Sequence, residues 1–155
     1  MKALLLKTDA SLSTLLLRLT LGCVFFPHGA QKMLGAFGGS GFSGTMGLFT
    51  QNMHIPVGFA FLAIMAEFFG SLGLIFGFFT RVAAFGIACN MVVAIVMVHA
   101  ANGFFMNWMG NQKGEGIEYH LLAIGIAVAL MIRGGGLWSM DRRIAGKLGG
   151  QEKVE

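Results

Sequence analysis

The chain has 155 residues, 55% hydrophobic and 12% charged, against roughly 45–50% and 25% in an ordinary soluble domain. Its apolar residues run unbroken around the helix instead of along one stripe, which excludes a water-soluble globular fold and calls for lipid as solvent. The formal charge of +4 does not signal nucleic acid, because five of the eleven basic residues (Arg133, Arg142, Arg143, Lys147, Lys153) flank an apolar segment in the last 23 positions, where they set membrane orientation.

The pattern predicts an all-α integral membrane protein, a four-helix transmembrane bundle forming a single transmembrane domain over 1–155, with a short interfacial segment between helices 1 and 2. The first span covers about 11–34. Lys2 and Lys7 precede it as they would a signal peptide, but its length, Arg18 and the lack of a small-x-small cleavage site make it a retained span. The connection 35–55 is Gly-rich at its start (Gly35, Gly38, Gly39, Gly41, Gly44) and then carries Phe42, Met46, Leu48, Phe49 and Met53. That composition suggests an interfacial or re-entrant segment with these five side chains toward lipid.

The second span, about 56–79, starts at Pro56, a residue suited to helix starts. A tight turn at Thr80 and Arg81 leads into the third, about 80–105. The fourth, about 117–137, is stopped by Gly134, Gly135 and Gly136, and a basic tail follows over 138–155. Each span reaches the roughly 20 residues needed to cross hydrocarbon. Lys2, Lys7, Arg81 and the tail fall on one side, leaving Lys32 and Lys113 on the other, so both termini are expected in the cytoplasm. Cys23 and Cys89 lie in apolar segments without metal-type spacing and read as small buried hydrophobes.

An ionisable group at bilayer depth needs a partner or a polar cavity. By helix rise, Glu67 lies roughly 16 Å below the start of its span and Arg18 roughly 10 Å above the start of its own. A structural ion pair between Arg18 and Glu67 is therefore expected; the alternative has Arg18 reaching the surface while Glu67 bonds to a neighbour such as Asn90. A second polar group gathers near the outer ends: His28, Gln31 and Lys32, then His99 and Asn102, then Glu118, Tyr119 and His120. Arg18, Gly22, Phe25, Gly29 and Lys32 share one stripe of the first helix. On the last helix Glu118 and His120 stand about 160° apart, and the inward position is assigned to Glu118, with His120 at the headgroup rim.

The donor set His28, His99, Glu67 and Glu118 lacks HxxxH or ExxH spacing, so no metal is assigned. The same region suits a quinone: His or Lys donates to a carbonyl, a carboxylate carries protons, and Phe and Met hold an apolar ring. Glu67 and Glu118 are thus the candidate catalytic residues, and Arg18, His28, Lys32 and His99 the candidate ligand-binding ones. The chain carries no cofactor motif of its own.

The order Arg18-x9-His28-Gly29-x-Gln31-Lys32, FGG at 37–39, Glu67-x-x-Gly70, FFTR at 78–81, HAANGFF at 99–105 and Glu118-Tyr119 resembles the DoxX family of small four-helix bacterial membrane proteins. The likeness runs from Leu15 to Asp141. It implies a transmembrane bundle in the bacterial cytoplasmic (inner) membrane, and association with quinone-linked oxidation of thiosulfate or with membrane oxidoreductase complexes that handle redox stress. It marks Arg18, His28, Lys32, Glu67, Arg81, His99 and Glu118 as family-pattern positions. RGGG at 133–136 and GNQKGEG at 110–116 depart from the family pattern.

Three functions stay open at this point. The first is the membrane subunit of a quinone-linked oxidoreductase, fed by a soluble redox subunit. The second is a binding or transport protein for a small molecule, lipid or metal ion, which with so few spans implies a homo-oligomer or a ligand held in the membrane. The third is an anchor or assembly factor for a redox complex, docking through Arg142, Arg143 and Lys147.

Overall fold

The structure is a computed structural model that describes residue 6 and residues 8–151, with side chains described up to 147. Lys2, Lys7 and Lys153, which enter the charge asymmetry, lie outside the described residues. Among the described residues the chain is all-helical with no strand. The helices are α1 (Leu12–Leu34), α2 (Gly41–Gly47), α3 (Val57–Phe76), α4 (Thr80–Ala94), α5 (Glu118–Arg133) and α6 (Met140–Gln151).

Sequence punctuation explains most boundaries. The Ser11 hydroxyl accepts the Thr14 N–H at the start of α1, and Gly35 ends that helix at φ 73°, a left-handed geometry open to glycine. Pro56 opens α3 and Gly77, at φ 67°, closes it. A π-helical stretch at Ile95–His99 and a 3₁₀ turn at Ala100–Asn102 prolong α4.

Three helical stretches are long and apolar enough to cross a membrane: Leu12–Leu34, Val57–Phe76 and Thr80–Asn102. The fourth expected span is shorter than its hydropathy suggested. Regular α5 has 16 residues, because Gly134 leaves the helix at φ 84° and Gly136 takes φ 70°, folding 134–137 back against the bundle. The expected segment between the first two spans does contain a short helix, α2, continued by a π-helical turn at Leu48–Asn52.

α1 packs along α3, α3 along α4 and α4 along α5, and a sparser α5–α1 contact closes the ring. The core they enclose holds Leu21, Phe25, Leu74, Ile87, Met91 and Leu130, with Ala84, Ala123 and Ala127 where helices approach closely. Large apolar side chains cover the outside, among them Phe59, Phe69, Phe85, Val96, Leu122 and Ile132. That is an exterior built for acyl chains. Cys23 and Cys89 are on this exterior as free thiols, not in the interior as expected; apolar surroundings in the sequence cannot separate a core position from a lipid-facing one.

At one end, a single side chain ties the helices together. Arg18 is 2% exposed. Its Nη1 donates to the carbonyls of Leu74 and Ile75, both at 2.6 Å, its Nε to Gly135 at 2.9 Å and its Nη2 to Leu137 at 3.5 Å. The first two belong to the last turn of α3, where the Leu74 carbonyl also accepts the Gly77 N–H at 3.2 Å and no further turn follows to supply donors. Arg81 likewise donates to the carbonyl of Met131 near the end of α5. Asp141 performs the converse task, accepting the N–H groups of Phe79 (2.7 Å) and Thr80 (2.9 Å) at the start of α4. The N-terminal segment joins the same end, where the Ser11 carbonyl accepts the Leu137 N–H and Arg133 meets Asp9 at 3.3 Å. Residues 9–11 and 133–141 are therefore at one end of the bundle.

Replacing Arg18 with Met should lower unfolding free energy in detergent by on the order of 3 kcal/mol, since several buried carbonyls lose a charged donor. Arg18→Lys should recover part of this, because an ammonium cannot cover the spread that a guanidinium fork does. Thermal unfolding followed by circular dichroism measures both; an unchanged midpoint in Arg18→Met would show that the carbonyls find other partners.

Candidate functional site

The stripe Arg18–Gly22–Phe25–Gly29 is buried along α1, as its spacing predicts. Its glycines set the register against α3. A Cβ on Gly29 would meet the Phe68 Cα at 2.6 Å and the Glu67 carbonyl oxygen at 2.8 Å, and one on Gly22 would touch Leu74 and Ile75 at 3.0–3.1 Å. Backbones thus approach directly, Gly22 beside Leu74 and Gly29 beside Phe68. One turn beyond Gly29, this register delivers Lys32 to Glu67.

The ion pair so formed has Lys32 Nζ 2.8 Å from Glu67 Oε1, with the lysine side chain 27% exposed and the glutamate 8%. This corrects the expected pairing of Arg18 with Glu67. The stripe was right and the level was not: Arg18 lies beside the carbonyls of Leu74 and Ile75, roughly 10 Å along α3 from Glu67 by helix rise. Counting from each helix's own start misses the offset imposed by the two glycines.

At the end away from Arg18 the bundle encloses a cavity of about 460 Å³, within the range of small-ligand sites. Phe25, Phe49, Met53, Met91 and Met106 supply apolar wall, and His28, Lys32, Glu67, Asn90, His99, Tyr119 and His120 supply polar groups. Several of the latter are fixed by their neighbours. The Asn90 amide donates to the Ala63 carbonyl at 2.8 Å. His99 Nδ1 lies 2.8 Å from the Glu115 carbonyl, a contact that requires a proton on Nδ1 and leaves Nε2 as the acceptor in a neutral ring. The His99 and His120 rings lie 4.1 Å apart, and Tyr119 stacks on Phe25 at 6.2 Å. Two atoms stand out: the Tyr119 hydroxyl and His120 Nδ1 are buried without a hydrogen-bond partner in the protein.

Both π-helical stretches adjoin this cavity, one through Phe49 and the other through Val98 and His99. The extra residue in such a turn rotates the following side chains and is common at functional sites. Phe49 and Met53 therefore line the cavity, where the sequence had suggested lipid.

Of the candidate residues, His28, Lys32, Glu67 and His99 come together around the cavity, and Arg18, Arg81 and Glu118 do not. Glu118 Oε1 accepts the Met106 N–H at 2.9 Å and holds the α4–α5 loop. His120 takes the inward place that had been assigned to Glu118, being 6% exposed. The 160° separation stands; the choice between its two faces was inverted. The signal was present in the small residues, since His120, Ala123, Ala127 and Leu130 form the buried stripe of α5. Tyr119, seen only as part of an outer polar layer, is the other lining residue of α5. Among the described residues, no three His, Cys, Asp or Glu side chains converge as a metal site would require.

The family model DoxX matches residues 13–100 of the chain. Over 119 residues the chain is 33% identical to a Bacillus subtilis (strain 168) protein named "Putative oxidoreductase CatD", covering 77% of this chain and 78% of that one. No solved structure matches it.

A double-mutant cycle tests the Lys32–Glu67 pair. Lys32→Met and Glu67→Gln should each destabilise the protein, the first more because it strands a buried carboxylate. The double variant should regain about 0.5–3 kcal/mol over the sum of the two losses. Strict additivity in thermal or denaturant unfolding would show that the two charges do not interact.

Proposed function

The chain belongs to the DoxX family, and on that premise we propose that it is the quinone-binding membrane subunit of an oxidoreductase. In this reading α1, α3, α4 and α5 all cross the bacterial cytoplasmic membrane with both termini inside, and a soluble redox subunit supplies electrons. Support for α5 as the fourth span comes from its place in the ring between α4 and α1 and from its exposed apolar side chains Leu121, Leu122, Val128 and Ile132. At roughly 24 Å it is short for a bilayer core of about 30 Å, and the folded-back segment 134–137 makes up part of the thickness.

The observation that carries the ligand assignment is the pair of buried polar atoms without protein partners, Tyr119 Oη and His120 Nδ1, in the lining of an otherwise largely apolar cavity. A buried donor or acceptor left without a partner is costly, and a flat ring bearing oxygen acceptors on its edge satisfies both. The chemistry of the lining fits that group. Tyr119 donates from its hydroxyl, His120 donates or accepts at Nδ1 according to tautomer, and Phe25 and Phe49 bound the ring. A quinone, when bound, supplies two-electron, two-proton redox chemistry. The protein's part is to exclude water with the apolar wall, to orient the headgroup through Tyr119 and His120, and to hold charge at Lys32–Glu67. His99, fixed by the Glu115 carbonyl, keeps Nε2 free to accept a proton.

A binding or transport role without redox chemistry uses the same cavity and needs no electron donor, so ligand identity comes first. Purified protein in lipid nanodiscs, titrated with a short-chain ubiquinone and with a menaquinone analogue, should gain stability, by about 2.7 kcal/mol at a hundredfold excess over Kd. Tyr119→Phe and His120→Gln should each weaken binding about tenfold, the equivalent of one hydrogen bond. If neither quinone stabilises the parent while a fatty acid or isoprenoid alcohol does, the cavity is a lipid site and the redox assignment falls.

A further inference from the structure

Residues 103–117 connect the third membrane-crossing stretch, which ends at Asn102, to α5. The second half of this loop is polar and Gly-rich, but its first half, 104–109, carries five large apolar residues, four of them exposed. Trp108 and Met109 are 86% and 88% exposed, and Phe104 and Phe105 are also exposed. Trp108 and Met109 are more exposed than any of the outward-facing apolar residues on the helices.

The loop is nonetheless internally bonded. Glu118 Oε1 takes the Met106 N–H at 2.9 Å and Glu115 Oε2 the Asn107 N–H at 2.6 Å. The Asn107 side chain donates to the Gln112 carbonyl at 3.1 Å and accepts the Gln112 N–H at 3.0 Å. Phe104 and Phe105 carbonyls accept from Glu118 and Gly116. Two carboxylates, the exposed Glu115 and the half-buried Glu118, therefore brace the backbone of the loop that presents these apolar side chains. A preformed loop of this kind keeps backbone groups satisfied where water is scarce. The third stretch, from which the loop departs, also carries exposed apolar residues, among them Val92, Val96 and Met97.

We infer that the tip of this loop, Trp108 and Met109 flanked by Phe104 and Phe105, is seated in the lipid–water interface as an anchor, pinned in that shape by Glu115 and Glu118. Tryptophan prefers this level of a bilayer, where its ring is half in hydrocarbon and its N–H is wet. The occupant of the patch is the headgroup region of the membrane itself. Met106 and Glu115, on the same loop, also line the cavity. Anchoring the tip therefore also fixes this part of the lining around the proposed ligand. The seating of the tip does not depend on what that ligand is.

The chain has two tryptophans, so Trp138→Phe leaves Trp108 as the sole reporter. In nanodiscs, emission of this variant should be blue-shifted relative to tryptophan in water, quenched by brominated phosphatidylcholine, and protected from iodide. Glu118→Ala, with helicity unchanged by circular dichroism, should lose bromolipid quenching and gain iodide quenching. If Trp138→Phe does not fold, the difference in emission between the parent and Trp108→Phe gives the same readout. Free access of iodide to Trp108 with no bromolipid quenching would overturn the inference and mark the tip as a surface for a protein partner. Quenching that is indifferent to Glu118→Ala would overturn the pinning role.

Discussion

Arg18 places a full positive charge where lipid-immersed helices have their least satisfied atoms. The last turn of any helix ends in carbonyls without partners and carries partial negative charge, and inside a bilayer no water is present to compensate. One guanidinium reaches two carbonyls in the last turn of α3 and two more on the segment after α5. Asp141 treats the opposite problem, the free N–H groups at the start of α4. Helix ends that would otherwise have to reach water are closed from within.

With one end closed, the other is free to open. The glycines of α1 draw α3 close along their whole shared length, while α5 meets α1 only sparsely. The space left between them at the far end becomes the cavity. Its polar lining is graded: Lys32 and Glu67 neutralise one another, the Asn90 amide and His99 Nδ1 are committed to backbone carbonyls, and the Tyr119 hydroxyl and His120 Nδ1 are buried without a partner in the protein. Such grading distinguishes a polar layer that holds helices together from one that can receive a guest, and here both kinds share one wall.

Much of this was legible in the sequence. Continuous hydropathy, Pro56 and the Gly-rich run from Gly35 mark helices and their ends, though Gly77 ends α3 at Phe76, short of the expected 79, and the Arg18–Gly22–Phe25–Gly29–Lys32 stripe correctly names the face of α1 that meets α3. What was not legible has a common cause. Period gives the face of a helix but not its vertical offset from a neighbour, so Arg18 was matched to the wrong level of α3 and Glu67 to the wrong cation. On α5 the choice between Glu118 and His120 needed the small-residue stripe of Ala123 and Ala127 to be weighed as core, against the habit of assigning carboxylates to sites. The π-helical turns at Leu48–Asn52 and Ile95–His99 shift phase locally, which is why Phe49 and Met53 turned from lipid to cavity. Asp141, capping a helix that begins 61 residues earlier, has no local signature at all.

The connections of Arg18 also impose an order of assembly. Its partners at Gly135 and Leu137 lie 117 and 119 residues downstream, and Asp141 follows them. A ribosome makes Arg18 well before these groups. Through most of synthesis the guanidinium has only the α3 carbonyls to bind, and α4 lacks its cap. The bundle can therefore be locked only once residues 135–141 have been made. A chain cut short before residue 134 would hold every long apolar helix and still lack the means to close, leaving a buried charge half-served for quality-control proteases to find.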